Sequence, residues 1–280
     1  MAVLQIEKVL NNNVLIAEHP SYQEVVIIGK GIGFNRKRGD TIDTNGIEKL
    51  FVLKDEQEQE NYIKLLPYID RDIHEVFISA IELIKQKTHT ELNEHIHVAL
   101  TDHLMMALTR AAQRIKVTNP FLVETKALYR REYEIALEVV NLIKEQTGIE
   151  LPQGEVGFIT LHVHSAITNK NLSEVNKDSQ LVSRLVRMVE EQLEMQIDKD
   201  SIDYIRLVRH LRFTIERVKK GERVEEPEKI TSLLKKEYPV CYYLAWKLIK
   251  VMQQTLKLQV FDAEAVYLTM HLQRLQAKIK

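Results

Sequence analysis

Two histidine-containing motifs each occur twice in this chain at nearly the same spacing, and this duplication constrains the fold more than any other feature. The segment DHLMMALTR begins at Asp102 and RHLRFTIER begins at Arg209, so the pattern H-L-x-x-[AT]-[LI]-x-R recurs after 107 residues. The segments EVGFITLHV and EAVYLTMHL begin at Glu155 and Glu264 and recur after 109 residues. A period of this length has the size of a domain rather than of a solenoid repeat. The sequence therefore predicts two copies of one domain, each with two corresponding histidines.

The repeated part has the apolar period of helices. In DIHEVFISAIELIKQK the apolar positions from Ile73 to Ile84 form one stripe along a helix. A polar stretch at 168–180 is predicted to separate the copies, and Gly148 and Gly221 are predicted to end helices. The other predicted helical segments are ELNEHIHVALTDHLMMALTRAAQRI, FLVETKALYRREYEIALEVVNLIKEQT as one helix, EVGFITLHVHSAI, LVSRLVRMVEEQLEM, SIDYIRLVRHLRFTIERVKK, PEKITSLLKKEY, CYYLAWKLIKVMQQTL and AEAVYLTMHLQRLQAK.

The segment before residue 55 has a period close to two, which is typical of strands. VLQIEKVL nearly alternates apolar and polar residues, and NVLIAE, EVVIIG and KLFVL are short apolar runs separated by turn residues. We expect a four-stranded antiparallel sheet, too small for a generous core, so that oligomerisation is an expected source of stability. KDEQEQEN at 54–61 is interpreted as a linker or as the charged start of a helix.

The predicted fold class is multidomain: a small antiparallel β-sheet domain at 1–58, followed by two all-α helical-bundle domains at 62–170 and 171–280. The 280 residues are 45% hydrophobic and 28% charged, which is typical of globular domains. The formal net charge of -1 does not indicate a nucleic-acid partner, so such a partner must be recognised by a local cluster. The single cysteine, Cys241, excludes an intrachain disulfide and is expected in the core. We predict no signal peptide and no membrane-spanning run, and we expect a cytoplasmic protein.

Three glycines alternate in GKGIG at 29–33, and a basic run follows them. A nucleotide-binding loop requires a helix directly after the glycines, or Gly-Lys-Ser/Thr, and the sequence has neither. The nine residues from Lys30 to Arg38 carry four basic side chains and no acidic one. Phe34 could stack on a base, the cations could contact phosphates, and the three asparagines at 11–13 could bind base edges, a combination that suits RNA. On composition alone, a solvated turn remains the alternative.

Ten histidines raise the question of a metal site, and their spacing argues against one. In HIH and HVH the histidines are two residues apart and do not share a helix face, and one cysteine cannot build a thiolate site. We therefore expect no metal and no cofactor, and we expect His19, His74 and His89 at the surface. Either shared packing or phosphorylation would explain the repeated histidines, since arginines lie near His103, His210 and His271 in sequence and a neutral imidazole attacks phosphorus.

Six motifs together resemble the BglG/SacY/LicT family of bacterial transcriptional antiterminators. They are KVLNNNVLIA, GKGIGF, LTDHL, GFITLHVHSA, IRLVRHLRFTIER and EAVYLTMHLQRL, and they follow the family's order over essentially the whole chain. Within the family the chain is most similar to the glucose-specific members. The resemblance implies an N-terminal RNA-binding domain that works as a homodimer, followed by two PTS regulation domains.

The match to these motifs implies two sets of functional residues. The RNA-binding candidates are Asn11, Asn13, Gly29, Lys30, Gly31, Phe34, Arg36 and Lys37. The phosphorylated histidines would be His103 and His162 in the first regulatory domain, and His210 and His271 in the second. Lys30 stands where many relatives have arginine, which keeps the charge but loses the bidentate geometry.

The resemblance also implies partners and a mechanism. The homodimer would bind a hairpin in a leader mRNA and exclude an overlapping terminator, so that glucose-uptake genes are transcribed. It would bind no DNA, insert into no membrane and catalyse no reaction. Without sugar, the glucose-type permease of the phosphotransferase system would phosphorylate the first regulatory domain and inactivate the protein. In many relatives the carrier HPr phosphorylates and activates the second domain, and the glucose-type members depend on it less.

Two other classes of protein are alternatives. A histidine phosphotransfer relay would pass phosphate to an acceptor and would use the β domain to bind another protein. A purely structural interaction protein would keep the repeated histidines in its cores. The NNN and GKGIGF motifs discriminate between an antiterminator and a relay, because a relay has no need of them.

Overall fold

The computed structural model describes residues 3–10, 12, 14–20, 23–28, 31–43, 47, 49–51, 56–223 and 228–277. Within these residues the N-terminal part is an antiparallel sheet of five strands in the order β4-β1-β2-β3-β5. The strands are β1 (Val3–Val9), β2 (Val14–His19), β3 (Gln23–Ile28), β4 (Thr41–Asp43) and β5 (Lys49–Phe51). The four predicted strands are confirmed, and β4 was not predicted because Ile42 is the only apolar residue of its three.

The central strand β2 is buried at four consecutive residues because both faces of the sheet are covered. Leu15 and Ala17 point to one face, where Ile32 from the loop after β3 joins their core. Val14 points to the other face together with Val26 of β3. Burial on both sides explains why this strand is uniformly apolar rather than alternating.

A helix that follows the sheet packs on this second face. Tyr62 of α1 (Glu56–Leu65) is fully buried against Val14 and Val26. Its hydroxyl lies 2.9 Å from Nε2 of His74, which is on the next helix. His74 is 1% exposed, so the prediction that it lies at the surface is wrong. The segment predicted as a linker or helix start is helical from residue 56.

The remaining described chain is helical, with a short 3₁₀ turn at Leu66–Tyr68. The helices are α2 (Arg71–Thr88), α3 (His95–Ala112), α4 (Leu122–Leu128), α5 (Arg130–Thr147), α6 (Gln153–Thr168), α7 (Leu172–Gln192), α8 (Ile202–Lys220), α9 (Glu228–Glu237), α10 (Pro239–Leu256) and α11 (Ala263–Gln276). By their contacts the residues divide into two compact units. The first unit is Met1–Thr118 with Ile135–Asn169, and the second is Asn119–Glu134 with Lys170–Lys280.

Two helix predictions need correction. The segment predicted as one helix over FLVETKALYRREYEIALEVVNLIKEQT is broken at Tyr129, whose φ of -129 and ψ of 52 are not helical. The short helix before this break, α4, packs against α7 and α8 of the second unit. The polar interruption predicted at 168–180 is shorter, because α7 already begins at Leu172. Asn171 caps that helix by accepting a hydrogen bond from the backbone N–H of Ser173 at 2.8 Å.

Other predictions about single residues are confirmed. Gly148 and Gly221 follow α5 and α8 with φ values of 72 and 68, a left-handed conformation that favours glycine after a helix. Cys241 is fully buried, and this burial raises the pKa of its thiol. None of the described helices combines the length and apolarity that a bilayer span requires.

Candidate functional site

The repeated histidines meet in pairs because two helices of each unit pack together. On α3, His103 and Arg110 are seven residues apart, which is two turns and places both on one face. On α6, Glu155 and His162 have the same spacing. Since α3 packs against α6, these four side chains form what we call the first histidine cluster. In the second unit α8 packs against α11, and the second histidine cluster consists of His210, Arg217, Glu264 and His271.

In the first histidine cluster a fully buried carboxylate lies between a histidine and an arginine. Nε2 of His103 is 3.0 Å from Oε2 of Glu155, and a terminal nitrogen of Arg110 donates to Oε1 at 2.8 Å. The ring centroids of His103 and His162 are 4.9 Å apart. Glu155 lies in the first turn of α6, where the helix dipole favours a negative charge. The cluster therefore combines two imidazoles with a compensated buried anion.

The electrostatics of this cluster favour an ionised Glu155 and a neutral His162. Burial would raise the pKa of Glu155, but the contacts with His103 and Arg110 outweigh it, and the pKa lies below its usual value. Burial holds the pKa of His162 well below its usual value, and a proton on His103 or His95 would act in the same direction. His162 is therefore an uncharged ring at neutral pH.

The second histidine cluster repeats the arrangement with more hydrogen bonds to the carboxylate. Arg217 donates to both oxygens of Glu264, at 2.9 Å each, and the hydroxyl of Thr214 donates to Oε2 at 2.8 Å. Nε2 of His210 lies farther from that oxygen, at 3.6 Å. The ring centroids of His210 and His271 are 4.8 Å apart. The pair of imidazoles is thus common to both units, whereas the surroundings of the carboxylate differ.

Both histidines of the second cluster are neutral at neutral pH. Burial lowers the pKa of His210 to about 3, and a proton on His271 and the charge of Arg217 act in the same direction. Burial also lowers the pKa of His271, with a further contribution from Arg274 and Arg206. A neutral imidazole keeps one nitrogen unprotonated, and this is the form that attacks phosphorus.

Glu155 and Glu264 are functional candidates that the sequence analysis missed. They occupy matching positions in the repeated motifs, which was the available signal. Their contacts with histidines on another helix depend on how the helices pair, which the sequence does not reveal. Asp102, the sequence neighbour of His103, is exposed, and the buried Glu155 approaches the ring instead.

Two further histidines of α3 face the helix that contacts the sheet. Nδ1 of His95 lies 2.9 Å from the carboxylate of Glu58 on α1. The ring of His97 lies edge-on to that of Tyr62, with the centroids 6.5 Å apart, and burial lowers the pKa of His97 to about 4. Within the described residues, no three His, Cys, Asp or Glu side chains gather in a way that could hold a metal ion.

The glycine loop, residues 29–38, is described from Gly31 onward. Gly31 has a φ of +68, and a Cβ atom at this position would meet no other atom within 4 Å. The left-handed backbone, rather than steric crowding, therefore favours glycine there. Ile32 is buried in the core of the sheet, and the chain then turns so that Phe34 is 62% exposed. The backbone N–H of Gly33 donates to the carbonyl of Asn12 at 2.9 Å, which joins the loop to the NNN motif. The candidates outside the described residues are Asn11, Asn13, Gly29 and Lys30.

The described basic residues of the loop are all exposed, but their engagement differs. Arg36 donates to a backbone carbonyl of β4 at 3.3 Å, and Arg38 forms an ion pair with Glu7 at 2.8 Å. The backbone N–H of Lys37 donates to the carboxylate of Asp40 at 3.0 Å, whereas its ammonium group has no partner within the described part of the chain. Exposed cations beside an exposed aromatic ring suit a nucleic-acid backbone and its bases.

Two family matches cover most of the chain. Residues 4–60 match the family described as CAT RNA binding domain. Residues 79–166 and 183–275 each match the family described as PRD domain. The first match covers the sheet with its glycine loop, and the second covers each copy of the repeated motifs.

Relatives match over nearly the whole length. The chain is 56% identical to the PtsGHI operon antiterminator of Bacillus subtilis (strain 168) over 274 residues, 98% of each protein. It is 39% identical to the GlcA/glcB genes antiterminator of Staphylococcus carnosus (strain TM300), over 95% of this chain and 94% of the relative. A solved structure described as GlcT CAT-PRDI matches with 52% identity and a TM-score of 0.52, over 60% of this chain and 99% of that one. The chain therefore belongs to the family of transcriptional antiterminators that join a CAT RNA-binding domain to PRD domains.

Proposed function

We propose that this protein is an antiterminator for glucose-uptake genes and that it acts as a homodimer on a hairpin in a leader mRNA. Binding stabilises the hairpin and prevents the overlapping terminator from forming, so that transcription continues. The exposed Phe34 beside exposed cations supports RNA binding by the first domain. The names of the relatives, which refer to the ptsGHI operon and the glcA/glcB genes, support the choice of target genes.

The RNA contacts that we propose come from the glycine loop and from the NNN motif. The ring of Phe34 stacks on a base, and Arg36 and Lys37 contact phosphates. The glycines allow the RNA backbone to approach the loop closely. The full set is Asn11, Asn13, Gly29, Lys30, Gly31, Phe34, Arg36 and Lys37.

Control by phosphorylation of His103, His162, His210 and His271 is the second part of the proposal. The observation that carries it is the repeated pairing of imidazole rings, 4.9 and 4.8 Å apart, beside a buried carboxylate. The lowered pKa values of His162, His210 and His271 supply neutral nucleophiles at neutral pH. Each phosphoryl group adds about -1.5 to -2 charges, by analogy with other phosphorylated side chains. A charge of this size is enough to reorganise packed helices or a subunit interface.

The proposed partners follow from the family. The glucose-type permease of the phosphotransferase system phosphorylates the first regulatory domain when sugar is absent, and HPr is a second donor for the second domain. A protein that meets both donors and the nascent mRNA must be reached from the cytoplasm, where we place it. The histidines hold phosphate as a signal and pass it to no substrate, so we propose that the protein is not an enzyme.

The proposed domains are residues 1–58, 62–170 and 171–280, with α1 transmitting the signal between the first two. Glu58 of α1 contacts His95, which lies two turns before His103 on α3. Tyr62 of the same helix packs against the sheet. A new charge on α3 or α6 can therefore act on the RNA-binding domain through one short helix.

The test is transcription of a reporter behind the leader hairpin, with and without glucose, in four single alanine variants and in His103→Asp. We expect His103→Ala to be active without glucose and His103→Asp, a partial charge mimic, to be less active with it. The other variants are His162→Ala, His210→Ala and His271→Ala. If His103→Ala stays glucose-dependent while another variant is constitutive, the assignment moves to that residue. If all four stay glucose-dependent, control by phosphohistidine is wrong. Transfer of phosphate to an acceptor, with no effect on the reporter, would support a relay.

A further inference from the structure

The carboxylate of the second histidine cluster is occupied by donors other than its histidine. Glu264 accepts three hydrogen bonds from side chains, two from Arg217 and one from the hydroxyl of Thr214. With these donors in place, Nε2 of His210 lies 3.6 Å from Oε2 and 3.5 Å from the hydroxyl of Thr214. A carboxylate whose lone pairs are engaged in this way has fewer acceptor sites left for a neighbouring ring.

The carboxylate of the first cluster is engaged by fewer donors. Glu155 accepts from one terminal nitrogen of Arg110, whose Nε finds no hydrogen-bond partner within the described residues. The position that corresponds to Thr214 is Ala107, which has no hydroxyl. Oε2 of Glu155 accepts no hydrogen bond within the described residues and is therefore left for His103, whose Nε2 lies closer, at 3.0 Å. The side chains of His103 and His210 are 17% and 13% exposed, so access to solvent hardly distinguishes them.

We propose that the residue four positions after the first histidine of each repeat, Ala107 or Thr214, sets the reactivity of that histidine toward phosphoryl donors. With alanine at this position, the buried carboxylate of Glu155 can stabilise positive charge on the ring, which makes His103 the more reactive site. With threonine at this position, the hydroxyl donates a hydrogen bond to the carboxylate of Glu264, which makes His210 the less reactive site. This inference rests on the proposed function, and it assigns Ala107 and Thr214 as positioning residues that act through Glu155 and Glu264.

The chemical step shows why the carboxylate matters. The lone pair of Nδ1 of His103 attacks the phosphorus atom, the new N–P bond forms, and the bond from phosphorus to the donor's leaving atom breaks. The leaving atom takes the bonding pair of electrons, while Nε2 keeps its proton and the ring becomes positively charged. Oε2 of Glu155, next to Nε2, stabilises this positive charge, as a carboxylate stabilises the imidazolium of a hydrolytic triad. In the second cluster the hydrogen bonds from Thr214 and Arg217 diminish this effect.

The experiment uses the full-length protein and phosphoramidate, a small donor whose P–N bond breaks with release of ammonia. A small donor removes any preference that a protein partner would bring. Initial rates of phosphorylation at His103 and His210 are measured by site-resolved mass spectrometry. The variants are Ala107→Thr, Ala107→Val, Thr214→Ala and Thr214→Val, because valine has the shape of threonine without its hydroxyl.

We expect His103 of the unsubstituted protein to react faster than His210. Ala107→Thr should slow His103 by roughly threefold to tenfold relative to Ala107→Val, which lies within the span of one ordinary hydrogen bond. Thr214→Val and Thr214→Ala should both accelerate His210 by a similar factor. Equal rates in Ala107→Thr and Ala107→Val, or an unchanged His210 in both Thr214 variants, would overturn the inference. The Thr214 variants keep the test valid if Ala107→Thr fails to fold, since they add no non-hydrogen atoms.

A second measurement separates this inference from the proposed function. If no histidine of the unsubstituted protein accepts phosphate, phosphohistidine control fails, and the 15N chemical shifts of the imidazole rings decide the inference. A shift of Nε2 of His103 that differs between Ala107→Thr and Ala107→Val supports control by the hydroxyl. Identical shifts in the two variants would refute it.

Discussion

A terminal nitrogen of Arg110 donates a 2.8 Å hydrogen bond to the carboxylate of Glu155, a side chain with no exposed surface. Removing the arginine leaves a buried charge without its cation. We expect Arg110→Met to destabilise the first unit by about 2 to 4 kcal/mol, below the full cost of a broken buried pair because Arg110 is itself 27% exposed. Hydrogen exchange of the α6 amides measures this loss.

The matched control for that variant is Lys144→Met, which breaks the exposed pair with Glu150. An exposed ion pair contributes no more than about 1 kcal/mol, so α6 should keep nearly its full protection. Equal loss of protection in Arg110→Met and Lys144→Met would show that the burial of Glu155 does not determine how much stability is lost.

Burial lowers the pKa of three repeated histidines, so acid should destabilise the protein. In an unfolded chain a histidine takes up its proton near pH 6.5, on the order of the model-peptide value, whereas folded His210 does so at about 3. The stabilisation due to the neutral ring is complete above about pH 6.5 and is lost as the pH falls toward 3, by up to about 1.4 kcal/mol per pH unit. His210→Gln should therefore flatten the pH dependence of the urea midpoint below about pH 6.5. His89 is exposed, so the control variant His89→Gln should leave the pH dependence of the urea midpoint unchanged.

The ring of Phe34 is 62% exposed at the tip of the glycine loop, where it can stack on a base. Phe34→Ala should weaken binding to the leader hairpin by about 1 to 3 kcal/mol, which is the usual contribution of a stacked base. Tyr68→Ala, which removes a ring that is 78% exposed but lies outside the loop, is the control. Gel-shift titration with the full-length protein measures the affinity of both variants for the hairpin. Equal affinities of Phe34→Ala and Tyr68→Ala would exclude Phe34 from the interface.

The ammonium group of Lys37 is exposed, and within the described residues nothing neutralises it. If it contacts a phosphate, Lys37→Met should reduce the slope of log K against log salt by about 1 and weaken binding to all RNA sequences alike. Arg38 is already paired with Glu7, so Arg38→Met should change the slope less. Affinities measured at several salt concentrations distinguish the two, and a greater effect of Arg38→Met would reverse the assignment.

Tyr62 and His74 form a buried hydrogen bond of 2.9 Å between α1 and α2. Tyr62→Phe removes the hydroxyl and keeps the ring, so it should cost about 1 to 3 kcal/mol of stability, the usual range for a buried polar group that loses a partner. Tyr68→Phe is the control, because that hydroxyl belongs to a highly exposed side chain. Urea unfolding followed by circular dichroism measures the difference, and equal midpoints would contradict a stabilising role for the bond.

The parts of the fold with a regular period could be predicted from the sequence, and the parts that depend on packing could not. The strands around Leu15 and the helix that ends before Gly221 have strong local signals, and both are confirmed. The break at Tyr129 has no glycine or proline beside it, so the helical period continues through it. The early start of α7 did have a signal, since Asn171 is a common helix cap, but the polar sequence that follows it obscured this.

The same distinction applies to the histidine clusters. Duplication of the motifs identified four histidines whose rings do pair, because equal spacing in two copies is visible in sequence. The contact between His103 and Glu155 joins two helices separated by a long stretch of chain, and no local pattern reports such a contact. His74 was misplaced for the same reason, since its burial depends on Tyr62 of another helix.

The segment Asn119–Glu134 belongs to the second unit although residues of the first unit flank it on both sides. This interleaving affects the order in which the chain can fold during synthesis. The ribosome delivers α4 before α7 and α8, the helices that α4 packs against. At roughly 5 to 20 residues per second, about 4 to 17 seconds separate the emergence of residue 134 from that of residue 220. During this interval Phe121 and Leu128, buried in the finished protein, face water or a chaperone. A translational pause just after residue 134 would prolong that exposure and make the nascent chain prone to aggregation.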